Sequence, residues 1–130
     1  MDDKLKKHGA ISWSELMTTD VSAAKSFYGE LFGWQFEDMP METEKMTYTV
    51  VKANDDEVAG MMPFPEDVPA EMPPVWGLYI TVDNVDAVAE KAAALGAKIH
   101  MPPKDIPEVG RFCVLQDPQG AFISIITYVK

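Results

Sequence analysis

From Ile11 to Met17 apolar and polar residues alternate as in a half-buried strand, and Thr18-Thr19-Asp20 then offers side-chain oxygens to the first amides of a helix. The helix begins at Val21. Val21, Ala24, Phe27, Tyr28, Leu31 and Phe32 recur at spacings of three and four, forming one apolar stripe from which Lys25 and Glu30 fall away, and Gly33 stops the helix. Three strand patterns follow: Trp34 to Glu37, Met46 to Ala53, and Glu57 to Met62 beyond the turn Asn54-Asp55-Asp56. The first half reads β-α-β-β-β.

Pro63, Pro65, Pro69, Pro73 and Pro74 then crowd one segment that continues neither a helix nor a central strand, and it reads as a linker. The pattern restarts after it. Val75 to Val82 is a strand, Asp83-Asn84 supplies cap chemistry, and Val85 to Leu95 is an Ala-rich helix ended by Gly96. Ala97 to Met101, Arg111 to Gln116 and Ala121 to Val129 supply three more strands. The last two flank Asp117-Pro118-Gln119-Gly120, a turn in which Pro118 pre-sets φ and Gly120 accepts a positive one. Trp13 to Asp20 and Trp76 to Asp83 share Trp, Thr and Asp at an offset of 63 (76 − 13), and Gly33 and Gly96 keep it. The fold class expected is α+β: one domain over 1–130, made of a βαβββ module (10–63), a linker (64–74) and a second βαβββ module (75–129).

With 130 residues, 47% of them hydrophobic and 10% aromatic, the chain buries one sizeable core, or two small modules that share one. Its apolar runs are far shorter than a membrane span, and Met1 to His8 lacks the apolar stretch of a signal peptide, so a cytoplasmic protein is expected. A net charge of −10 argues against nucleic acid as a partner, because phosphate binding needs a basic patch. The single cysteine, Cys113, has no partner for an internal disulfide and lies in an apolar strand, which favours burial over a reactive thiol.

Family phrases stand at Thr19-Asp20-Val21 with Phe27-Tyr28-Gly29-Glu30-Leu31-Phe32-Gly33-Trp34, at Val82-Asp83-Asn84-Val85-Asp86-Ala87 with Leu95-Gly96-Ala97, and at Asp117-Pro118-Gln119-Gly120. Together they resemble the glyoxalase/bleomycin-resistance/dioxygenase superfamily, the vicinal-oxygen-chelate fold. Pro103 to Phe112 looks closest to its glyoxalase-like hydroxylase and antigen-type branch. The resemblance implies paired modules around a shared cavity, helices outside. It also implies four metal-ligand positions, usually His or Glu, which fall here on Trp13, Gly77, Ser124 and either Gly60 or Met61. None is a competent ligand, His8 and His100 stand elsewhere, and Glu15 alone makes no cage, so no metal and no cofactor are expected.

Within that fold the alternation aims Leu78, Ile80 and Val82 at the helix and Gly77, Tyr79 and Thr81 at the cavity. Trp13, Glu15 and Met17 join them from the first strand, and Phe122, Ser124 and Ile126 from the last. Arg111 is a further candidate, as a ligand clamp or as a salt-bridge partner for one of many carboxylates. Glu15 carries the candidate chemistry: a carboxylate among apolar walls either binds a cationic or hydroxyl-bearing ligand, acts as a general base, or is held by hydrogen bonds as structure. Trp13 and Trp76 divide between packing and a stacking platform. The expected function is metal-free binding of a small organic molecule, like the antibiotic-sequestering members. The alternatives are a glyoxalase-type lyase or dioxygenase-like enzyme, using a metal or Glu15, and an interaction domain. Sheet edges in short modules, together with the resemblance, imply a homodimer.

Overall fold

Two side-chain caps set the helices. The Asp20 carboxylate accepts the Ala23 amide at 2.9 Å and starts α1, Val21–Phe32; the Asn84 side chain accepts the Ala87 amide at 3.0 Å and starts α2, Val85–Ala94. Each satisfies an amide that a helix end leaves without a partner. At the far end of α1, Gly33 takes a φ of 73°, which a side chain would oppose, and its amide returns to the Gly29 carbonyl at 2.8 Å. The computed structural model of the chain describes residues 3–41, 46–64, 73–107 and 109–129. Most of the expected linker, residues 65–72 with Pro65, Pro69 and Met72, lies outside the described residues.

With α1 go β1 (Ile11–Thr18), β2 (Gln35–Met41), β3 (Met46–Ala53) and β4 (Asp56–Pro63), in the sheet order β2-β3-β4-β1. β2, β3 and β4 run antiparallel in sequence, and β1 lies parallel to β4. With α2 go β5 (Val75–Thr81), β6 (Lys98–Ile106), β7 (Gly110–Gln116) and β8 (Phe122–Tyr128), in the order β5-β8-β7-β6, with β5 parallel to β8. The chain divides into two compact units, Trp13–Trp76 and Gly77–Lys130, and the segment Met1–Ser12 belongs to the second. Among the described residues no helix is long and apolar enough to cross a membrane.

Each unit has its own apolar core between helix and sheet. In the first, Leu16, Val51, Ala59 and Met61 are buried, with Val21, Ala24 and Tyr28 of α1 packed against them. In the second, Val82, Val85, Ala89, Cys113, Leu115 and Ile125 are buried together. Burial also pushes the Cys113 thiol pKa up, so this cysteine is a core residue and a poor nucleophile. The stripe on α1 is wider than its sheet covers: Phe27, Leu31 and Phe32 are each more than half exposed, and no residue of the helix is fully buried.

Three expectations need correction. β2 and β6 run past the expected ends at Glu37 and Met101, through Pro40 and through Pro102 and Pro103; both strands are edges of their sheets, where a missing N–H is tolerated. Trp34 does not open β2 but packs on the core of its unit. The repeat has an offset of 64, not 63: the caps Asp20 and Asn84 correspond (84 − 20), as do the parallel pairs Glu15 with Gly60 and Tyr79 with Ser124 (79 − 15, 124 − 60). A slip of one residue exchanges the faces of a strand. Trp76 is thus no counterpart of Trp13; its indole donates to the Tyr28 hydroxyl at 3.1 Å and meets the Trp34 ring edge-on.

The N-terminal segment is tied to the end of β5. Thr81 donates its amide to the Ala10 carbonyl at 2.8 Å, accepts the Gly9 amide at 2.7 Å, and bonds Leu5 through its hydroxyl. Two residues past β5, the Asp83 amide donates to His8 Nδ1 at 3.0 Å.

Candidate functional site

In the first unit Leu16 packs toward α1, so the period of two puts Trp13, Glu15 and Met17 on the face that the helix leaves bare. Register carries that face across the sheet: Glu15 pairs with Gly60, Gly60 with Val50, and Met17 with Met62. Tyr48, two residues before Val50, lays its ring over Gly60, whose missing side chain makes the room. The Trp13 indole N–H donates to the Tyr48 oxygen at 2.9 Å. An indole only donates, so the phenol keeps its own proton for another acceptor, and Glu15 Oε2 takes it at 3.4 Å. Glu15 is 9% exposed. Tyr48 of β3, itself held by Trp13 of β1, thus gives the desolvated Glu15 carboxylate a hydrogen-bond donor.

In the second unit the equivalent face carries Gly77, Tyr79, Thr81, Phe122, Ser124 and Ile126, because Ile80, Ile123 and Ile125 pack with the α2 core. Ser124 lies between Tyr79 and Val114 in register and is half-buried. Thr81 and Ile126 are a buried cross-strand pair, each 3% exposed, and the Thr81 hydroxyl is already bonded to Leu5. Phe122 at the other end is 46% exposed.

Arg111 leaves the candidate set. It has the parity of Cys113 and Leu115, which puts it on the helix side of β7, where its guanidinium forks onto Asp86 of α2 at 2.8 and 3.0 Å and reaches Asp105 at 3.1 Å. Those two carboxylates raise its pKa further, and the arginine lowers that of Asp86. It clasps a helix to a strand.

Of the four metal-ligand positions that the resemblance implies, Trp13 and Gly60 lie on the helix-free face of the first unit and Gly77 and Ser124 on that of the second, Met61 being fully buried on the helix side. The donors do not fit a metal. An indole and two glycines supply no ligand, the Gly60 space is taken by a phenol, and among the described residues no three His, Cys, Asp or Glu gather as a metal cluster.

Two residues on these faces escaped the sequence pattern. Tyr48 reads as an ordinary strand position, and the one signal for it is Gly60, a glycine inside a strand, which marks a close approach. His100 reads as an isolated histidine, yet its Nε2 lies 2.8 Å from Gln116 Oε1 and its ring 4.8 Å from that of Phe122.

A family model described as glyoxalase/bleomycin resistance protein/dioxygenase superfamily matches residues 10–125. The putative glyoxylase CFP32 of Mycobacterium tuberculosis is 41% identical over 119 residues, covering 92% of this chain and 46% of that protein. The anthracycline biosynthesis protein DnrV of Streptomyces peucetius is 29% identical over 128 residues, covering 90% of this chain and 46% of that protein. The chain spans about half the length of these curated relatives. Among solved structures, methylmalonyl-CoA epimerase of Streptomyces coelicolor in complex with 2-nitronate-propionyl-CoA superposes with a TM-score of 0.67 at 16% identity, covering 95% of this chain and all of that one, a likeness of fold alone.

Proposed function

The chain belongs to the glyoxalase/bleomycin resistance protein/dioxygenase superfamily, and from that premise we propose that it binds a small organic molecule bearing a cationic or hydroxyl group, without a metal. The observation that carries this reading is the Trp13–Tyr48–Glu15 chain over Gly60. It places a carboxylate beside an indole on the sheet face opposite the helix: one charged anchor and one flat apolar wall, the usual make-up of a small-molecule site. Tyr79 and Ser124 supply the corresponding polar groups of the second unit. The binding species in this reading is a homodimer, supported by the exposed Phe27, Leu31 and Phe32 of α1 and by sheet edges at β2 and β6.

The test is a titration with bleomycin as a cationic probe, read through tryptophan fluorescence beside a metal analysis of protein purified without added metal. Saturable quenching that survives a chelator and weakens in Glu15→Gln is expected. Stoichiometric bound metal, or quenching indifferent to Glu15, overturns the reading. Sedimentation at the monomer mass of 14.4 kDa at micromolar concentration would remove the dimer alone.

The burial of Glu15 favours a second reading, in which the carboxylate is a general base that abstracts a proton from carbon, as an epimerase requires. Solvent deuterium entering the α-carbon of methylmalonyl-CoA separates it from binding alone.

A further inference from the structure

His100 occupies a break in β6. Ile99 pairs with Leu115 and Met101 with Val114, so His100 is the extra residue of a bulge, a device that re-aims one side chain. It turns to the helix-free face of the second unit, next to Gln116 and Phe122, which pair across β7 and β8.

Chemistry fixes the tautomer. Gln116 Nε2 stands 2.8 Å from the Gly120 carbonyl oxygen, and only the amide nitrogen donates there, so Oε1 is the atom facing His100. An oxygen at 2.8 Å requires a proton on His100 Nε2. Neutral His100 therefore carries its lone pair on Nδ1, which has no partner among the described residues. His8 is the opposite case, its Nδ1 already accepting the Asp83 amide.

We propose that His100 Nδ1 is a ligand anchor of the second unit, accepting a hydrogen bond from the hydroxyl of a planar, apolar compound that lies on the exposed ring of Phe122. The proposal rests on the reading that the helix-free faces bind a small molecule. It adds the chemical class taken at this end: a flat ring bearing an O–H, such as a phenol or naphthol. Gln116 is the positioning residue, and the Gly120 carbonyl orients Gln116.

The probes are β-naphthol and its methyl ether, which share a ring system and differ by the one proton that Nδ1 would accept. In mildly alkaline buffer, proton–nitrogen correlation spectra of the free protein should show His100 protonated at Nε2. β-Naphthol should shift His100 Nδ1 and the Phe122 ring and bind about fivefold tighter than the ether, the worth of one hydrogen bond. That preference should vanish in His100→Phe, which keeps an aromatic ring, and fall in Gln116→Leu, which frees the tautomer. A proton found on Nδ1, equal binding of the two probes, no binding of either, or a preference that survives in His100→Phe overturns the proposal. Bleomycin binding that still depends on Glu15 in any of those cases leaves the broader reading standing; its loss alone sinks that reading instead.

Discussion

The hydroxyl of Tyr48 occupies the space that a side chain on Gly60 would need. Gly60→Ala therefore forces the phenol out of place, because the added methyl would overlap the hydroxyl and the ring carbons next to it. The substitution should destabilise the protein by roughly 1–3 kcal/mol, the usual cost of overpacking. Tyr48→Phe should not relieve it, since ring carbons clash as well. In a Tyr48→Ala background the same glycine change should cost much less. Chemical denaturation of the two single variants and the double variant checks this, and additive costs would refute the contact.

The Thr81 hydroxyl ties the N-terminal segment to the end of β5 through the Leu5 carbonyl. Thr81→Val keeps the buried shape and leaves that carbonyl without its donor, so about 1 kcal/mol of stability should be lost. Amide exchange should quicken at Gly9 and at residue 81, whose backbone bonds depend on the same segment. Unchanged exchange there would show that the hydroxyl does not hold the segment.

Arg111→Gln should lower the melting midpoint by a few degrees at most and leave ligand affinity unchanged, because the guanidinium clasps α2 through Asp86 on an exposed surface. Added salt should shrink the difference. A loss of affinity with an unchanged midpoint would return Arg111 to the binding face.

The local elements were legible because each rests on a few neighbouring residues. Asp20 and Asn84 announce their helices by side-chain chemistry alone, and Leu16 and Ile80 tell which way their strands face. What was not legible depends on pairing. Tyr48 becomes a site residue only when β3 lies beside β4 and brings its ring over Gly60. Arg111 was open to the same alternation that placed Tyr79: its parity with Cys113 and Leu115 assigns it to the helix side. His100 needed a bulge that no period of two foresees, and the repeat was misread by one residue because Trp, Thr and Asp coincide at an offset that the strand pairs do not share.

Asp38 links β2 to α1 and to β3: Lys25 Nζ lies 2.7 Å from its carboxylate and the Thr49 hydroxyl donates to it at 2.8 Å. The Lys25 hydrogen bond, then that of Thr49, lowers the Asp38 pKa. A carboxyl group held below its unfolded pKa stabilises the fold above that unfolded value, about 3.9, and the contribution disappears as pH falls through the native pKa. Asp38 is half exposed, so the effect is screened and modest. Melting midpoints should fall as pH drops below about 4, and Lys25→Met should flatten that part of the profile. An identical slope in the variant would rule out the linkage.

Glu15 decides between ligand chemistry and structure. Its Oε2 accepts from Tyr48, an interaction that the carbonyl of a glutamine reproduces, so Glu15→Gln keeps the Trp13–Tyr48 chain while removing a charge and the capacity to take a proton. If the carboxylate serves a ligand, stability should hold or rise slightly, because a desolvated charge is no longer buried at 9% exposure. Affinity for a cationic compound should then fall by roughly 1.5–3 kcal/mol, the worth of a hydrogen bond to a charged group. A structural carboxylate gives the reverse: unfolding becomes easier by a similar amount and affinity scarcely moves. Melting curves and bleomycin titrations on the same preparations separate the two outcomes, and a less stable variant with intact binding would remove Glu15 from the site.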